Sequence, residues 1–228
     1  MILQKQTIRF SSIYSAANIL SAENRSRCLE CLQKLPTAKM RQPSTPQPEA
    51  SVLVPVCIDD KGETSILYTR RSGLLSRHVH QISFPGGIKD PEDASFEDCA
   101  LRETEEEIGL PRSRIEIWGS GPLWRPQFTA SIMPVYGIVR NLRLDELKLN
   151  KAEVESAFTI PIEELAAPDN FRYTQYKSGY SGPVFMVGNR RIWGITAWMT
   201  DNFLNCLIPE HESSKRPRIK YIRPYRAK

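Results

Sequence analysis

The sequence predicts an α/β protein in which a mixed β-sheet is held between α-helices. Short runs rich in apolar and β-branched residues alternate with two helical runs. One helical run, Ser95–Ile108, follows directly on a Gly-Gly turn at the end of a strand-like segment. The other, Gly194–Leu207, is a largely apolar run that closes the domain.

Residues 1–22 carry Lys5 and Arg9, several serines and no acid, with apolar residues interspersed rather than massed. That pattern predicts an organelle leader, here a mitochondrial transit segment, rather than a secretory signal with its continuous apolar core. The matrix is then the expected compartment. The alternative is an unstructured tail on a cytosolic protein. Residues 23–50 comprise a short amphipathic helix (Glu23–Leu35) and a linker from Pro36 to Pro48 rich in Pro, Ser, Thr and Gln. The folded domain is expected over 51–210, with strands at Ser51–Asp59, Thr64–Thr69, Ile82–Phe84, Ile115–Gly119 and Ile132–Val139. Further strands are expected at Arg172–Lys177, Val184–Val187 and Arg191–Trp193.

The net charge of +5 is uneven: the 14 residues Lys215–Lys228 hold seven basic side chains and no acid. This tail, 211–228, reads as solubilising, with RNA or an anionic membrane surface as the alternative partner. No DNA partner is expected, and no apolar run approaches the roughly 20 residues of a transmembrane helix. The five cysteines are odd in number and irregular in spacing, so reduced thiols are expected and Cys28-x-x-Cys31 is read as incidental.

The chemistry concentrates between Gly86 and Leu110. In the run Arg102-Glu103-Thr104-Glu105-Glu106-Glu107-Ile108-Gly109-Leu110, a rotation of about 100° per residue brings Glu103, Glu106 and Glu107 onto one face. Three like charges on one helix face repel. A fold usually tolerates them when a cation neutralises them, and hard oxygen donors suit Mg²⁺ or Mn²⁺. The preceding Phe84-Pro85-Gly86-Gly87 is a tight turn at which glycine allows close backbone approach, and Gly86 is expected to offer its carbonyl to the metal. Asp93 or Ser95 can cap the helix, and Gly109 ends it.

These residues resemble the Nudix hydrolase box, so the expected fold is the α/β/α Nudix fold. From Arg102 to Gly109 the match is complete except for Thr104 in an apolar slot. Upstream, the early glutamate slot falls on Ala94 and the glycine lies one residue too far away. Either the loop carries a one-residue insertion or the early glutamate is absent, with Asp93 and Glu97 as substitutes. The segment before the box, with Arg70-Arg71-Ser72, Arg77-His78 and Ile82–Gly87, is similar to the signature of coenzyme A diphosphatases. That similarity continues through Glu153-Val154, Phe158, Pro161 and Arg191–Ala197. Two positions depart from the signature: Ser76 stands in its arginine slot and His80 in its glycine slot.

The resemblance implies metal-dependent cleavage of the diphosphate of coenzyme A or an acyl-CoA to 3′,5′-ADP and a 4′-phosphopantetheine. Arg102, Glu103 and Glu106 are the expected catalytic residues, and Glu103, Glu106, Glu107 and Gly86 the metal site. Arg70, Arg71, Arg77 and His78 are expected to read the substrate, because guanidinium forks match phosphate oxygens. The base is either Glu103 or an acid outside the box such as Glu153. Two rival readings stand beside this one. The first is a Nudix enzyme for another nucleoside diphosphate (ADP-ribose, NADH or capped RNA). The second is a non-catalytic RNA-binding scaffold.

Overall fold

The computed structural model describes residues 13–35, 47–125, 130–175 and 181–208. The basic tail, residues 1–12 and nearly all of the linker lie outside the described residues. The chain begins with α1 (Ala16–Ile19) and α2 (Ala22–Gln33), followed by β1 (Glu49–Ile58), β2 (Thr64–Arg71), β3 (Ile82–Ser83) and β4 (Gly86–Ile88). After α3 (Phe96–Ile108) come β5 (Ile115–Ser120), β6 (Ser131–Val139), β7 (Val154–Pro161) and α4 (Ile162–Ala166). The last elements are β8 (Phe171–Gln175), β9 (Ser181–Val187), β10 (Arg190–Ile192) and α5 (Gly194–Leu207).

Seven strands form one mixed sheet along the path β3-β2-β1-β6-β5, with β4 added to β1 and β7 to β2. Among the described strands only the β1–β6 pairing is parallel, running from Glu49 opposite Ser131 to Cys57 opposite Val139. The β8–β10 strands make a separate antiparallel sheet. Side chains alternate across the main sheet, as a pleated strand requires. Leu53, Cys57 and Leu67 face α3 with Ala100, Ile108 and Leu110. Val54, Val56, Ile66 and Tyr68 face α5, packing with Phe203, Leu204 and Leu207. The expected layered α/β fold is therefore observed. The sequence reading missed β4, α4 and β7. Val154–Pro161 mixes Glu, Ser, Thr and Pro with its apolar residues and pairs along nearly all of β2.

The helices before the linker belong to the body of the fold. Ile19, Cys28 and Leu32 are fully buried in the α5-side core. Arg25 pairs with Glu116 at 2.7 Å and donates to the Ile117 carbonyl, while Arg27 donates to the Leu207 carbonyl at the end of α5. Cys31 and Cys206 form a disulfide between α2 and α5, which corrects the expectation of reduced thiols throughout. Their separation of 175 residues hid the pairing from any local reading. Cys28, Cys57 and Cys99 remain free and buried. A leader ending at residue 22 would strip Ile19 and the partly buried Tyr14 from this core. Processing near Arg9–Ser12, which lies outside the described residues, would leave both in place. Among the described residues no helix is long and apolar enough to cross a membrane.

Ile19→Ala should cost about 2–5 kcal/mol, because it opens a cavity in a packed core. Urea unfolding followed by far-UV circular dichroism measures it. A loss below about 0.5 kcal/mol would mean that the first helices do not share the domain's core.

Candidate active site

Helix α3 begins at Ser95, whose Oγ accepts from the Asp98 N–H at 3.0 Å, and ends at Gly109 in the left-handed region (φ 68°). Thr104, in the apolar slot, is fully buried, and its hydroxyl donates back to the Ala100 carbonyl at 2.6 Å. A satisfied hydroxyl behaves there as an apolar side chain of similar volume, so the departure leaves the helix face intact.

Arg102 organises the charged face. Its Nε and Nη2 each donate at 2.8 Å to one oxygen of Asp93. Its Nη1 reaches Glu103 at 3.0 Å and Glu106 at 3.1 Å, and Nη2 also donates to the Ile88 carbonyl at 3.2 Å. Asp93 is buried, and the guanidinium holds its carboxyl well below the usual carboxylate range. Of the two candidate substitutes, Asp93 is the one that Arg102 holds. Five residues separate Gly87 from Asp93, and eight rather than seven separate Asp93 from Arg102, one extra residue in the loop. Glu97, the other substitute, instead accepts from the Ser120 hydroxyl at 2.9 Å.

Glu103 and Glu107 approach the Gly-Gly strand. A Cβ on Gly87 would overlap the Glu103 carboxylate, so glycine leaves room for Glu103 to lie against the strand. Glu107 is 4 % exposed and accepts from the Gly86 N–H at 3.2 Å. Burial pushes its carboxyl up to about 8, against the Gly86 bond and the Arg71 charge, while Glu103 and Glu153 add to the rise. Burial also raises Glu103, against Arg102. Glu106 is exposed and lies against Arg102. The contact described for Gly86 uses its N–H, not the carbonyl expected for a metal.

Among the described residues no three His, Cys, Asp or Glu side chains already close around one point. Arg102 holds Glu103 and Glu106, and Glu107 is turned to Gly86. The donors nevertheless fit a hard divalent cation. All are carboxylate oxygens, and the buried Glu107, whose carboxylate Gly86 and Arg71 only partly offset, would be neutralised by a cation.

The substrate-reading residues do not form one cluster. Strand β2 runs to Arg71, two residues beyond its expected end, so alternation sends Arg70 and Arg71 to opposite faces. Arg71 lies on the α3 side, where its charge acts on Glu107 and its buried Nε has no hydrogen-bond partner. Arg70 instead lies 3.5 Å from Glu155. Arg77 and His78 sit on the exposed loop after β2, and His78 Nδ1 contacts Gln81 at 3.2 Å.

The loop before β7 brings Glu153 to the site. Asn150 N–H donates to the Glu107 carbonyl at 2.9 Å, and Ser72 N–H to the Glu153 carbonyl at 2.8 Å. Glu155, absent from the sequence reading, bonds His80 at 2.7 Å and is held below its ordinary range by that bond and by Arg70. The Nudix-box spacing cannot reveal Glu155, because it lies on a distant strand.

Residues 47–178 match the NUDIX domain family. The chain belongs to the Nudix family. Two mammalian Nudix relatives span most of its length. The mouse protein named mitochondrial coenzyme A diphosphatase NUDT8 is 40 % identical over 195 residues, covering 83 % of this chain and 90 % of the relative. Its human counterpart is 40 % identical over 207 residues, covering 88 % and 84 %. Nudix hydrolase 3 of Caenorhabditis elegans is 34 % identical over 178 residues, covering 70 % and 73 %.

Glu107 gives the metal-free Nudix domain a testable pH signature. Its folded pKa lies above its unfolded one, so between the ordinary carboxylate range and about 8 the native state binds more protons than the unfolded chain. Stability contributed by this group therefore falls as pH rises through that window. In EDTA, Glu107→Gln should gain stability over the wild type at about pH 9 relative to about pH 5. A pH-independent difference in urea midpoints would show that Glu107 is not raised.

Proposed function

We propose that this Nudix protein hydrolyses the diphosphate of coenzyme A or an acyl-CoA, releasing 3′,5′-ADP and 4′-phosphopantetheine or its acyl form. The observation that carries this reading is the 40 % identity to NUDT8 proteins named as coenzyme A diphosphatases, over most of both chains. The carboxylate face fits the reaction. Glu103, Glu106, Glu107 and the Gly86 carbonyl would hold Mg²⁺ or Mn²⁺. Bound there, the cation neutralises diphosphate charge and acidifies the attacking water.

The remaining work falls to this chain's own side chains. Arg102 is a positioning residue that aims Glu103 and Glu106 and is itself oriented by Asp93. Glu103 or Glu153 accepts the proton of the attacking water, as both border the buried Glu107. Arg71, with its unpartnered buried Nε, is placed to bind the diphosphate as the bridging P–O bond breaks. Localisation follows the relatives' printed names: a mitochondrial protein, with a matrix address borne by a leader that ends before Tyr14.

With saturating Mg²⁺, Glu106→Gln or Glu107→Gln should lower kcat by about 100-fold or more while the folded state persists. Near-normal turnover would refute the metal assignment. Phosphate release measured on coenzyme A, ADP-ribose, NADH and capped RNA checks the substrate. Cleavage of coenzyme A well ahead of the others supports the reading, and preference for another nucleotide replaces it.

A further inference from the structure

Arg70, His80 and Glu155 form a second charged cluster, on the sheet face opposite Arg71. His80 Nδ1 lies 2.7 Å from Glu155 Oε2, and Arg70 Nε lies 3.5 Å from the same oxygen. One carboxylate oxygen thus bridges two basic side chains. Their relative exposures of 47 % (Arg70), 54 % (His80) and 43 % (Glu155) leave the bridge open to water, where ion pairs add little stability.

The placement of His80 is nonetheless specific. Its backbone is left-handed (φ 58°), a region unfavourable for residues with a Cβ. Its N–H donates to the Arg71 carbonyl at 3.1 Å, and Arg71 N–H donates to Gln81 at 2.9 Å. Gly73 makes room for the ring, since a Cβ there would lie 2.7 Å from His80 Cε1. A costly backbone conformation that delivers little stability indicates use by a ligand. The cluster also borders the carboxylate site. Arg70 adjoins Arg71 on β2, and Glu155 lies two residues from Glu153; Arg71 and Glu153 both act on Glu107.

We infer that Arg70 and His80 bind a phosphomonoester on the substrate nucleotide, and that Glu155 occupies them until substrate arrives. The inference rests on the diphosphatase reading, which puts such a group (the 3′-phosphate) on the nucleoside, away from the scissile bond. A dianionic phosphate offers more charge and more acceptor oxygens than a carboxylate, so it displaces Glu155. Arg71 serves the diphosphate on the other face, so the two neighbouring arginines have separate tasks.

Two variants separate this role from a structural one. Glycine suits the backbone at position 80, so His80→Gly should fold normally. It should reduce the ratio of kcat/KM for coenzyme A to that for dephospho-CoA by about tenfold. Glu155→Gln removes the competing charge and should act oppositely, lowering KM for coenzyme A. A ratio within about twofold of the wild type in His80→Gly, or a rise in KM in Glu155→Gln, would overturn the inference. Metal-free calorimetry with adenosine 3′,5′-bisphosphate and AMP gives a readout independent of turnover. The wild type should prefer the bisphosphate, and His80→Gly should lose that preference. Equal wild-type affinities would refute the phosphomonoester site. A wild type that cleaves neither coenzyme A nor dephospho-CoA would refute the diphosphatase reading, leaving the calorimetry to decide the site.

Discussion

Arg102 makes the charged face of α3 compatible with a folded protein. Glutamates at 103, 106 and 107 on one helix face repel, and no local propensity offsets that. A guanidinium forked onto the buried Asp93 supplies a fixed positive charge between the β4 loop and the helix. The same group reaches Glu103, Glu106 and the Ile88 carbonyl, so it sets both the helix rotation and the loop path. Pairing is what makes Asp93 tolerable in the interior. Removing one partner of a buried pair leaves a charge without compensation, which costs far more than an exposed bridge contributes.

From that anchor the two sheet faces diverge. The α3 face is polar at its rim and draws its acids from two parts of the chain: the helix itself and the loop entering β7. The α5 face is apolar and is completed by helices that precede the linker, fastened through Arg25, Arg27 and the Cys31–Cys206 disulfide. The rigid apolar side allows the other side to keep acids close together. Burial of Glu107, only partly offset by the Gly86 N–H and the Arg71 charge, disfavours its carboxylate, and divalent metal binding would favour it, linking metal affinity to pH.

The proposed substrate contacts straddle the border between the faces. Arg70 and Arg71 are adjacent in sequence and look like one basic patch. A pleated strand turns them apart, so one attends the buried carboxylates and the other the exposed Glu155–His80 pair. A substrate with two kinds of phosphate can use both.

The sequence by itself determined the helix from Ser95 to Gly109, its single-sided glutamates and the need for glycine before it. Those features are local, set by a period of 3.6 residues and by backbone sterics. Most strand positions were legible for the same reason, since apolar alternation is a local signal. Tertiary structure alone decided that Arg102 grips Asp93 rather than Glu97, because the path of the loop sets which acid the guanidinium reaches. It also decided that Glu155 meets His80 and Arg70, that Glu153 comes close to Glu107, and that Cys31 meets Cys206, contacts between segments far apart in the chain. The separation of Arg70 from Arg71 depended on where β2 ends, and pairing with β7 carried that strand two residues past its local signal. Such pairings reflect cross-strand hydrogen bonds rather than the propensities of the residues that make them.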